Sequence, residues 1–149
     1  MTRSIDDLVA ALRALAPTDD ASDNEHRLNE AFDGFHLMAD REEALPEVFF
    51  LLERHAGADF GAPILLLREL EAFAAYPRLL AASLERQPTE LTVVMCNRLL
   101  NTPLPRDRRQ AWLARLNAVA SHPCSPPSLR ETTARLLDFQ ASRSGRLAP

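Results

Sequence analysis

The chain reads as all-α, and three observations predict it. Apolar residues recur every three to four positions in each long segment, no period-two strand pattern stands out, and prolines sit at helix starts throughout. Connectors of a few residues between such segments favour antiparallel neighbours. The expected architecture is therefore about eight helices in antiparallel hairpins, stacked as a compact bundle or a short HEAT-like superhelix. At 149 residues and 46% hydrophobic content the chain is sized for one domain with a substantial core. Aromatic content is 6%, so that core must be built mainly from Leu and Ala. Residues 1–141 are read as a single helical domain and 142–149 as a flexible tail.

Taken in order, Ser4 caps a first helix with Asp7 as the acid of a capping box, and Ile5, Leu8, Val9, Leu12 and Leu15 form its apolar stripe up to Pro17. After the polar turn PTDDASDNE, a second helix runs from about Asn24 to Ala39. It buries Leu28, Ala31, Phe32, Phe35 and Met38, with Gly34 as an internal weakness of ~1 kcal/mol. Pro46 suits the first turn of a third helix, because its missing N–H has no intrahelical partner there; Gly57 supplies the stop. A fourth helix starts at Pro63 and carries Ile64, Leu67 and Leu70, and a fifth runs from about Pro77 to Gln87. Thr89 is the N-cap of a sixth through about Leu100. Pro105 and Arg106 open a seventh that carries Trp112, Leu113, Leu116 and Val119 and ends at Pro123. The eighth, SLRETTARLLDFQ, precedes the tail.

Charge divides the chain. Residues 1–55 hold thirteen acids against five arginines, a net of −8, while residues 56–149 hold eight acids against twelve arginines, a net of +4. All seventeen basic residues are arginine. The acidic front argues against a nucleic-acid partner, which requires a basic footprint, and suits a basic protein partner. No run reaches the ~18 apolar residues of a membrane span, and the opening MTRSIDDLVA is acidic where a signal peptide is apolar. A cytoplasmic location without membrane association is expected. Cys96 and Cys124 are isolated and read as reduced, small packing residues.

Catalytic chemistry finds little support. His26, His36 and His55 share no helical ligand spacing, His122 and Cys124 lack further ligands nearby, and no glycine-rich phosphate loop occurs. Cys96 lies mid-helix between apolar neighbours, and adjacent Glu42 and Glu43 cannot face one another as an acid–base pair. No catalytic residue, metal site or cofactor is expected. The polar residues that stand out are Asn97, Arg98 and Asn101 at the end of the sixth helix. Either they bond orphan carbonyls at a neighbouring helix end and lock two hairpins, or they contact a partner directly.

The stretch from Ala62 to Leu137 resembles the immunity protein 30 group of bacterial polymorphic-toxin systems. The resemblance is carried by the Pro63 helix with Glu69, by Glu85, Arg86, Pro88 and Thr89, by Asn97, Arg98, Leu100 and Asn101, and by His122-Pro123 before a final helix. It covers roughly half the chain and implies a small, all-helical cytoplasmic protein that neutralises a cognate toxin by binding it. The acidic front lies outside the resemblance, where toxin specificity would reside. The expected partner is therefore a basic toxin domain acting in the cytosol, and the expected contact residues are Asp33, Asp40, Glu42, Glu43, Glu47, Tyr76, Arg98 and Asn101. The rival expectation is a helical-repeat adaptor for another bacterial assembly.

Overall fold

The computed structural model describes the backbone of residues 3–147 and side chains through residue 143. Eight α-helices make up these residues, without a strand among them: α1 (Ile5–Ala14), α2 (Ala21–Ala31), α3 (Leu45–Arg54), α4 (Ile64–Glu71), α5 (Tyr76–Arg86), α6 (Glu90–Leu100), α7 (Arg106–Ala120) and α8 (Pro127–Leu147). Two short 3-10 turns, Phe35–Leu37 and Arg41–Ala44, bridge α2 and α3.

Local sequence rules set most of the boundaries. Ser4 Oγ accepts from the Asp7 amide at 3.1 Å while the Asp7 carboxylate accepts from the Ser4 amide, completing the expected capping box. At α6, Thr89 and Thr92 make the same reciprocal pair with hydroxyls, Thr89 Oγ1 accepting from the Thr92 amide at 3.2 Å. Pro46 stands in the first turn of α3.

Three elements differ from the sequence reading. First, α2 begins at Ala21 because Asp20 caps it, accepting from the Asp23 amide at 3.1 Å. It also stops at Ala31 instead of continuing to Ala39. Gly34 is not a weak point inside a helix; it adopts φ +77°, the left-handed conformation that ends an α-helix, and the chain resumes as a 3-10 turn. Second, Ile64 is not a core residue of α4: Leu66, Leu67 and Leu70 are buried and Ile64 faces outward. Third, α8 does not end at Gln140 but continues to Leu147, and within it Arg143 is bonded to the end of α6.

Packing places α6 at the centre of the C-terminal half, against α5, α7 and α8. In the N-terminal half α1 contacts α2 and α3, and α3 then packs on α5; α4, of eight residues, sits beside α5. Sequence neighbours α3 and α4 therefore do not form the hairpin that strict pairing would give. One contiguous apolar core runs from Leu8 and Leu12 through Phe49, Leu67, Leu80 and Met95 to Leu116 and Leu129, and Leu is its commonest residue. Trp112 belongs to this core. No helix among the described residues is long and apolar enough to cross a membrane.

Candidate functional site

The acidic residues named from the sequence lie mostly on the bridge between α2 and α3. Along this segment Phe35, Met38 and Ala44 are buried and pin the backbone, whereas Asp33, Asp40, Glu42 and Glu43 point to solvent. Leu37, 70% exposed, stands among them. Arg41 is the cation nearest in sequence, yet its guanidinium donates to the Met38 carbonyl at 3.1 Å and lies over the Phe73 ring at 5.6 Å. None of the four carboxylates has a cation within ion-pair distance among the described residues.

The remaining contact residues expected from the sequence occupy structural positions. Glu47 is held by Arg13 at 2.7 Å, an ion pair that ties α1 to α3 and leaves the Glu47 side chain 15% exposed. Tyr76 is 1% exposed, packed against Phe49, so it cannot meet a partner at the surface. Its hydroxyl finds no hydrogen-bond partner, and burial pushes its pKa well up. Arg98 binds Glu71 through two bonds of 2.9 and 2.8 Å, a fork that joins α4 to α6. That hydrogen-bonded carboxylate raises the pKa of the guanidinium.

Arg98 thus does join two elements, but through a carboxylate and not through orphan carbonyls. The orphan carbonyls at the end of α6 are taken by arginines from elsewhere. Arg109 of α7 donates to the Leu100 carbonyl at 2.8 Å, and Arg143 of α8 donates to the Asn101 carbonyl at 3.0 Å. Gln140 of α8, fully buried, completes the junction. Its amide donates to Asn97 Oδ1 at 2.7 Å and Asn101 Oδ1 at 2.9 Å, and its oxygen accepts from Arg109 at 2.9 Å. Asn101, expected at an interface, is engaged here by both Gln140 and Arg143.

Sequence reasoning missed three further arrangements. Asn24 is buried and joins two distant loops, accepting from the Thr18 amide at 2.6 Å and donating to the Asp59 carbonyl at 2.9 Å. His122 ties the loop after α7 to α5: Nδ1 accepts from the Cys124 amide at 3.0 Å, which places the ring proton on Nε2, facing the Glu85 carbonyl at 2.7 Å. The third is a groove between α5 and α7 with lobes of about 560 and 320 Å³, bordered by Arg78, Arg108 and Arg115. The spacing of Arg108 and Arg115, seven apart on one helical face, was its only trace in the sequence. Cys96 is buried in α6, and burial pushes its thiol up to about 12.

Among the described residues, no three His, Cys, Asp or Glu side chains gather in a metal-binding arrangement. Chemically, the acidic bridge offers fixed negative charge around one exposed apolar side chain, and the groove offers positive charge around an apolar floor. Both suit recognition of a macromolecular surface. No family model, curated protein or solved structure matches the chain.

Proposed function

We propose that this chain is an immunity-type inhibitor that covers a basic surface of a cognate toxin with the acidic bridge between α2 and α3. The observation that carries the reading is the combination on that bridge of four uncompensated, exposed carboxylates with Leu37, 70% exposed. An apolar side chain rimmed by charge is the anatomy of an interface anchor, and burying it stabilises a complex while the rim sets approach and orientation.

The division of labour along the chain supports the same reading. Residues that carry the immunity-protein resemblance build joints: Arg86 grips Glu53 at 2.8 Å, Thr89 caps α6, Arg98 grips Glu71, and Asn101 meets Gln140. They hold a scaffold and leave the acidic bridge as the part free to vary with the toxin. Inhibition by surface occlusion needs no catalytic group.

The test uses the toxin encoded directly upstream of this gene. Protection of cells expressing that toxin should be lost when Asp33, Asp40, Glu42 and Glu43 are together changed to Lys, with the helical circular dichroism spectrum unchanged. Leu37→Ala should weaken the purified complex through faster dissociation. Association should slow by about tenfold or more between low and high salt, whereas dissociation changes less. Full protection by the quadruple variant together with a salt-independent association rate would refute the proposal. A neighbouring gene that encodes no toxin would instead favour the adaptor reading.

A further inference from the structure

We propose that the groove between α5 and α7 is a docking site for an acidic amphipathic helix of a partner protein. This surface is separate from the acidic bridge and opposite to it in charge, so either proposal can fail while the other stands.

α5 and α7 both pack on α6, and the groove lies between their outer faces. Its two lobes share Ala81 and Arg115 and so form one continuous trough. The trough follows α7 from Arg108 to Ala118, ten residue steps, or about 15 Å at the helical rise. That length accommodates about three turns of a docked helix. It is open along its length, a shape suited to a peptide more than to an enclosed small molecule.

Charge identifies the occupant. The floor is apolar, with Ala81, Leu99, Leu104 and Ala111 contributing aliphatic surface. Arg78, Arg108 and Arg115 stand along the borders, and no carboxylate lies within ion-pair distance of any of them among the described residues. A single acid, Glu85, lines the far lobe. In a chain of net charge −4 this is a local reversal of sign. An apolar floor between cationic borders is complementary to a helix with one apolar stripe flanked by Asp and Glu.

A single-stranded nucleic acid would seek the same arginines but also an aromatic face on which to stack bases. The groove does not offer one: the face of Trp112 is covered by the Arg115 guanidinium, 4.6 Å from the ring centroid. The observations therefore favour protein over nucleic acid.

The experiment measures fluorescence anisotropy of a labelled fourteen-residue helical peptide with Leu at positions i, i+3 and i+7 and Glu on both flanks, titrated with the full chain. Saturable binding with a micromolar Kd is expected. It should weaken by at least about tenfold when Arg78, Arg108 and Arg115 are changed together to Gln. A matched peptide with Lys for Glu, and a twelve-nucleotide oligo-dT, should each bind at least about tenfold more weakly than the Glu peptide. Ala111→Gln, which keeps every charge and places a longer side chain on the floor, should also abolish binding, and it decides the matter if the triple variant does not fold. The proposal is overturned if the Glu peptide shows no saturable binding up to about 1 mM. It is equally overturned if Ala111→Gln and a folded triple variant bind like the wild type, or if oligo-dT binds as tightly as the Glu peptide.

Discussion

Gln140→Leu tests whether the polar junction of α6, α7 and α8 stabilises the fold. Gln140 is fully buried and makes three bonds, two to the neutral amide oxygens of Asn97 and Asn101 and one from the charged Arg109. Two neutral bonds at about 1 kcal/mol each and a charge-assisted one at about 1.5–3 kcal/mol give a gross loss of about 3.5–5 kcal/mol. Two effects reduce it. Asn101 is exposed and Asn97 half-buried, so their freed oxygens regain water, and the leucine contributes about 1 kcal/mol of apolar burial. The expected net destabilisation is about 2–3 kcal/mol, read in urea unfolding by circular dichroism, with a drop in Tm of about 5–10 °C for a chain of this size. Asp138→Asn, on the exposed face of the same helix, should stay within about 0.5 kcal/mol. A double-mutant cycle with Asn97→Ala should show a coupling of about 1 kcal/mol, because the two residues share a bond. Loss of less than about 0.5 kcal/mol for Gln140→Leu, with additivity in the cycle, would show that water replaces the network at no cost.

Other perturbations have equally definite outcomes. Trp112→Ala should destabilise by about 3–5 kcal/mol, since the ring is 6% exposed and its removal leaves a cavity in the core; a change under ~1 kcal/mol would contradict that burial. Gly34→Ala should cost about 1 kcal/mol through backbone strain alone, because φ is +77° and no atom lies within 4 Å of an added Cβ. Gly57→Ala, equally uncrowded and without positive φ, should be near neutral in the same unfolding assay. Stability should fall with alkaline pH. Burial moves the Cys96 thiol from its usual 9.0 up to about 12 and raises the Tyr76 phenol, so the native state keeps protons that the unfolded chain releases. The loss begins above pH 9 for the thiol and above about pH 10 for the phenol, at about 1.4 kcal/mol per pH unit for each group. Cys96→Ala should flatten the interval from pH 9 to 10 relative to its own stability at pH 8, and an unchanged slope there would exclude the thiol as its source.

The helical class and most helix starts followed from the sequence because the interactions that decide them are local. The Ser4–Asp7 and Thr89–Thr92 boxes link residues three apart, and the stripe through Leu8 and Leu12 spans one turn. Such signals survive without knowledge of the rest of the chain. Gly34 marks where this logic weakens. Its sequence neighbours continue a helical spacing, but only the tertiary packing of Phe35 and Met38 decides that the chain turns there through a left-handed residue. The candidate site divides in the same way. Asp33, Asp40, Glu42 and Glu43 were legible as uncompensated acids because no arginine neighbour in sequence could neutralise them all. Glu47 and Tyr76 hold structural positions that local sequence does not reveal, because their partners Arg13 and Phe49 lie far away along the chain, whereas Asn101 takes, through Gln140, the junction role that is one of its two sequence readings. Gln140 itself sits 43 residues from Asn97, and the α5–α7 groove is formed where two helices distant in sequence pack on the same third helix. Charge and periodicity are sums over near neighbours and can be read from the chain, whereas burial, pairing and the shape of a groove depend on which distant surfaces meet.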